Sequence, residues 1–75
     1  MTLGEHIKRE REQREWSKSK LSHKAHISPH TLARLENDEV ATPTINVLVA
    51  IADALSIEVS EFVPYIREQN KRKEE

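Results

Sequence analysis

An all-α fold, a bundle of five helices, is predicted by three observations. The 75 residues include one Gly and three Pro, too few turn formers for a β fold. Apolar residues recur at helical steps of three and four, and a capping side chain stands ahead of each run. Cys is absent, so neither a disulfide framework nor a thiolate zinc site can hold the chain. Packing or self-association must do so. A chain of about 60 residues buries only about 60% of its unfolded surface, so the core is small.

The elements follow in order. Thr2 caps a first helix, and Glu5 three positions on completes a capping box. Leu3, Ile7, Arg11 and Arg14 share one face of it. Ser17 caps a second helix, with Leu21 and Ala25 on its stripe. Ser28 caps a third, Pro29 takes its first position, and Leu32 and Leu35 form its apolar face. Thr44 caps a fourth, whose stripe is Val47 or Leu48, Ile51, Ala52 and Leu55. Ile57 and Val59 belong to a short apolar connector. Ser60 caps a fifth helix with Phe62 and Val63, and Pro64 either ends its last turn or begins a new one. Residues 1–66 read as one domain and residues 67–75 as a charged C-terminal tail.

The joint between the second and third helices is the most informative. Only His26 and Ile27 separate Ala25 from Ser28, so the two helices must cross steeply, as in a helix-turn-helix. Ala25 is small where they cross, and Ile27 can plug the crossing from the turn. The third helix then starts with its N-terminus outward. That is an anion site and a probe slender enough for the DNA major groove.

Charge is banded along the chain. The net is −1, low for a nucleic-acid binder. Residues 17–35 nevertheless carry Lys18, Lys20, Lys24 and Arg34 with no acid, and three of the four His. Residues 36–61 carry six acids and no Lys or Arg. Such a chain can present a positive face to an anion, or the bands can be solvated faces only. No apolar run approaches 18 residues, and the start Met-Thr-Leu-Gly-Glu lacks the order of a signal peptide, so a cytoplasmic location is expected.

From Leu3 to Val63 the chain resembles the lambda-repressor-like (Cro/C1, XRE-type) helix-turn-helix DNA-binding domains. The resemblance rests on Leu3-Gly4-Glu5-His6-Ile7-Lys8, on Trp16-Ser17-Lys18 followed by Leu21, and on Ala25-His26-Ile27-Ser28. It continues through Thr31-Leu32-Ala33-Arg34-Leu35-Glu36-Asn37, Pro43-Thr44 and Ile51-Ala52-Asp53-Ala54-Leu55. It implies a five-helix bundle that binds double-stranded DNA by sequence, usually as a dimer on a palindromic operator. The family's usual Gly is replaced by Glu15, His26, Asp38 and Ser56, which should cost stability wherever the backbone is left-handed. The loop after the third helix holds Asp38 and Glu39 where the family is often basic, which predicts weaker non-specific affinity.

Carried over by position, Pro29, His30 and Arg34 of the third helix face base edges. Arg34 and His30 can donate to guanine acceptors, Arg34 bidentately, while Pro29 can only touch a thymine methyl. Thr31 reaches a phosphate or a base edge. Ser17, Lys18 and Asn37 clamp the DNA backbone, and Lys20 and Lys24 add longer-range attraction. Arg11 lies on the apolar stripe, where an unpaired guanidinium is costly, and Glu36 is its expected partner. The resemblance implies the same pair. Arg14 reads as a surface residue near the DNA rim or a solvated charge, and Trp16 as a core residue under the second helix. Phe62 and Val63 either cap the core or form a dimer patch with Val59 and Ile66.

Other chemistries find little support. His23, His26 and His30 have no matched carboxylate or thiol, so no metal site is expected there. No nucleophile–base pairing or phosphate loop is present, so neither an enzyme nor a cofactor is expected. The reading is a transcriptional regulator, a repressor of bacterial or phage origin acting at the nucleoid as a homodimer. The alternative is a protein-interaction module, antitoxin or controller protein. It would bind a toxin or anti-repressor through the acidic band and the apolar surface near Phe62.

Overall fold

Each α-helix begins at the side chain that the sequence marks. The computed structural model describes residues 2–40 and 43–65. They form α1 (Leu3–Gln13), α2 (Lys18–Ala25), α3 (Pro29–Glu36), α4 (Ile45–Leu55) and a short 3₁₀ helix (Val59–Phe62). There is no strand among the described residues. The Thr2 hydroxyl accepts from Glu5 N at 3.2 Å, and Thr2 N donates to the Glu5 carboxylate at 2.8 Å. These bonds from Thr2, backbone first, hold the Glu5 carboxyl below the usual carboxylate range. A lowered folded-state pKa means the contribution is present at neutral pH and is lost as the pH falls below the usual carboxylate range. Ser17, Ser28 and Thr44 accept from Lys20 N, Thr31 N and Val47 N at 3.0, 3.0 and 3.3 Å.

The fifth helix departs from expectation. It is a single 3₁₀ turn that starts at Val59, so Ser60 lies inside it and caps nothing. Pro64 does not end it: a further helical turn runs through residues 63–65. Ile66 and the tail 67–75 lie outside the described residues.

All four α-helices close in the same way, and none does it with glycine. Glu15, His26, Asp38 and Ser56 have φ of 58°, 58°, 58° and 59°. The next residue's N–H then folds back onto the last turn: Trp16 to Arg11 O, Ile27 to Ser22 O, Glu39 to Arg34 O and Ile57 to Ala52 O, at 2.9–3.2 Å. This is the Schellman closure, which glycine favours because a Cβ strains the left-handed backbone. Trp16, Ile27 and Ile57, the residues just past three of the turns, pack half-buried against the core. Glu15→Gly and Ser56→Gly are therefore expected to raise stability by about 0.5–1 kcal/mol each in urea melts. Asp38→Gly is expected to lower it instead. The Asp38 carboxylate accepts from the Thr2 hydroxyl at 2.6 Å and from Gly4 N at 3.0 Å, tying the end of α3 to the start of α1. Equal gains at all three sites would show that these bonds contribute nothing.

Gly4 sits at that joint. A Cβ there would lie 2.5 Å from Leu35 O and 2.7 Å from Glu36 O, so only a residue without one lets α1 meet the end of α3. Behind it the core assembles from Leu3, Ile7, Leu21, Ala25, Leu32, Leu35, Leu48, Ile51, Ala52, Leu55 and Phe62. In the fourth helix Leu48 supplies the buried stripe and Val47 is half-buried. Helix α2 packs on both α3 and α4, α1 on α3, and the 3₁₀ helix on α4.

Two placements bear on the sequence reading. Phe62 is 0% exposed, so it is part of the core and cannot supply a dimer patch. Its neighbour Val63 points away from the core and is 40% exposed. Trp16 is half-buried and packs against the core, as expected, with Lys20 and Lys24 close to its ring.

Candidate nucleic-acid interface

The α2–α3 joint decides what is presented to solvent. His26 takes the left-handed conformation and reverses the chain, and the Ser28 hydroxyl reopens it as α3. Leu32 and Leu35 are buried beneath α3. Pro29, His30 and Arg34 are exposed on its other side, followed by exposed Asn37, while Thr31 is half-buried. Thr31 Oγ1 accepts from the Ser28 hydroxyl at 2.8 Å. The Arg34 guanidinium has no carboxylate partner among the described residues, so its donor fork is free for a planar acceptor pair. Ser17 and Lys18 are exposed at the N-terminus of α2. An open groove runs between α2 and the start of α3, lined by Ser19, Lys20, Ser22, His23, Lys24, Ile27 and Pro29.

Two further cations are held in place at the edge of this face. Lys20 Nζ and Lys24 Nζ sit 5.1 and 5.2 Å from the Trp16 ring centroid, and the Arg14 guanidinium 5.9 Å away. The ring is thus a platform that pre-positions positive charge. Arg14 also has a structural task the sequence did not reveal. It donates to Glu10 O and the Glu10 carboxylate at 2.8 and 2.9 Å, and to Leu55 O at 2.7 Å, so it closes the end of α4. No local signal could have shown the last contact, which spans 41 residues.

Beneath the face lies one buried ion pair. Arg11 Nε donates to Glu36 Oε2 at 2.8 Å and a second guanidinium nitrogen to Oε1 at 3.0 Å; the third reaches Trp16 O at 2.8 Å. The side chains are 9% and 1% exposed. The bidentate contact with Glu36 holds the Arg11 pKa above its usual value, against the opposing effect of burial. The pair fixes the end of α3 on α1. Of the two loop acids, Asp38 is engaged with Thr2 and Gly4, while Glu39 makes no side-chain bond among the described residues.

Patch residues and His clusters also resolve. Val59 is half-buried and Val63 exposed beside the buried Phe62. Ile45 and Val49, one turn apart on α4, are 63% and 38% exposed and were not singled out from the sequence. Among the described residues the group of His and acids that comes together is not His23, His26 and His30 but His6, Glu10 and Glu61, with ligand atoms within 4.8 Å of one another. The i, i+4 spacing of His6 and Glu10 was a visible signal; Glu61 was not. No helix among the described residues is long and apolar enough to cross a membrane.

Comparison with known proteins agrees with this geometry. Residues 6–68 match the model of the Cro/C1-type HTH DNA-binding domain. The Immunity repressor protein of Bacillus phage phi105 is 40% identical over 63 residues, which is 84% of this chain and 43% of that relative. The chain therefore spans less than half the length of the relative it matches. The matched family is one of DNA-binding regulators, not of enzymes, and its segment contains the α2–α3 joint, the exposed face of α3 and the buried Arg11–Glu36 pair. The chain belongs to the Cro/C1-type helix-turn-helix DNA-binding domain family.

Proposed function

We propose that the chain is a sequence-specific repressor of transcription that binds a two-fold symmetric operator as a homodimer in a bacterial or phage-infected cell. The observation that carries the reading is the exposed face of α3. Its Arg34 fork has no carboxylate partner among the described residues and stands beside an acid-free α2. The likeness to a phage immunity repressor supports the sign of regulation. In this reading α3 enters the major groove. Arg34 and His30 donate to guanine edges, Pro29 touches a thymine methyl, and Ser17, Lys18, Thr31 and Asn37 hold the DNA backbone. A dimer doubles the base contacts and explains why one short half-site suffices per chain. Val59, Val63 and Ile66 are the dimer patch that remains once Phe62 is assigned to the core. The alternative, a protein-interaction module using the acidic band and the apolar surface near Phe62, would have to use exposed Val63 rather than the buried Phe62 ring.

Fluorescence anisotropy at several salt concentrations tests the assignment. Arg34→Ala is expected to weaken operator binding by roughly 1–3 kcal/mol, mainly on sites carrying the preferred base. Lys18→Ala is expected to weaken operator and random DNA alike, and to lower the salt slope by about 1. Equal losses on every sequence for both variants would make Arg34 a phosphate contact. No binding of any duplex at low salt would remove the DNA-binding reading.

A further inference from the structure

The imidazole of His6 lies where α1 meets the 3₁₀ helix. Its side chain is 13% exposed, stacked on Tyr65 at 5.0 Å and edge-on to Phe62 at 5.7 Å. The Nε2 atom is buried and has no hydrogen-bond partner. Two carboxylates converge on that nitrogen: Glu10 Oε2 at 4.0 Å and Glu61 Oε1 at 3.8 Å. Both separations exceed the roughly 2.7–3.2 Å of an N–H···O bond, so a shared proton does not close this gap.

A metal ion would. Tetrahedral zinc bound to imidazole nitrogen and carboxylate oxygen at about 2.0–2.2 Å sets its ligand atoms roughly 3.3–3.6 Å apart. The His6 separations are roughly 0.2–0.7 Å longer than that spacing, and all three ligand atoms lie within 4.8 Å of one another, so binding draws the carboxylates in. Glu61, 45% exposed, has room to close the rest. The other Glu10 oxygen accepts from Arg14 at 2.9 Å, which orients the carboxylate and leaves Oε2 facing the site. Such an outer partner is what fixed metal ligands normally have.

We propose that His6, Glu10 and Glu61 bind a divalent transition-metal ion, zinc by ligand chemistry, with a fourth position left to solvent. One nitrogen and two carboxylate oxygens suit zinc better than magnesium, which prefers an all-oxygen octahedron. The ion would clip the 3₁₀ helix to α1.

The test uses the full chain, freed of metal by chelation, with zinc or magnesium chloride as probe. At zinc near a hundred times its Kd, the melting temperature is expected to rise by roughly 10 °C. Magnesium is expected to leave it unchanged. In heteronuclear spectra the His6 ring signals are expected to move, with those of His23, His26 and His30 still. Glu61→Gln, a change at a half-exposed side chain that leaves the core intact, is expected to weaken zinc at least about tenfold. His6→Gln is expected to abolish binding. A wild type whose melting is indifferent to zinc overturns the proposal. So does a zinc effect that Glu61→Gln leaves undiminished, or ring shifts confined to the other histidines.

Discussion

Glu36→Gln is expected to destabilise the fold by about 3–5 kcal/mol, since it leaves the Arg11 guanidinium charged and interior without its counter-ion. The side chains are 9% and 1% exposed, so water cannot replace the lost partner without opening the α1–α3 contact. Gln keeps nearly the same shape, which confines the change to charge. Folded domains are stable by only about 5–15 kcal/mol, so one substitution here takes a large share of the total. Arg11→Met should cost a similar amount by stranding the carboxylate. The double replacement Arg11→Met, Glu36→Leu is expected to cost much less than the sum, because burying two apolar groups needs no counter-ion. A double-mutant cycle from urea melts reads the coupling directly. Coupling near zero would mean that the pair is an incidental contact. DNA affinity should follow stability in the single variants, because Glu36 belongs to α3 and sets where that helix ends.

What the sequence reveals about this chain depends on the reach of each interaction. The caps Thr2, Ser17, Ser28 and Thr44 bond to a backbone N–H three residues on, so residue type and position suffice to find them. The exposed face of α3 is legible for the same reason, because Leu32 and Leu35 fix which side is inward. The left-handed residues Glu15, His26, Asp38 and Ser56 carry no local mark. They are visible only through a family that places Gly there. Long-range contacts are not legible at all. Asp38 reads as a loop acid until the fold brings Thr2 and Gly4 to its carboxylate. Arg14 reads as a solvated charge until Leu55 O reaches it from α4. Glu61 lies too far along the chain from His6 and Glu10 for any spacing rule to join them.

Phe62 and Val63 give the sharpest separation between core and surface. Phe62→Ala is expected to cost about 3–5 kcal/mol, because the ring is fully enclosed and its removal leaves a cavity that this small core cannot close. That loss belongs to the monomer fold, so the fractional destabilisation should not depend on protein concentration. Val63 is 40% exposed, and Val63→Ser should change monomer stability by no more than about 0.5 kcal/mol. Its effect should appear in light scattering as weaker self-association, and in operator binding as a loss greater than the half-site affinity explains. The contrast rests on geometry. Where the 3₁₀ turn runs into the next helical turn the two adjacent side chains diverge, and the inward one is Phe62. If Phe62→Ala instead melted like the wild type and only weakened the proposed self-association, the ring would lie between subunits. The core of α1, α4 and the 3₁₀ helix would then have to close without it.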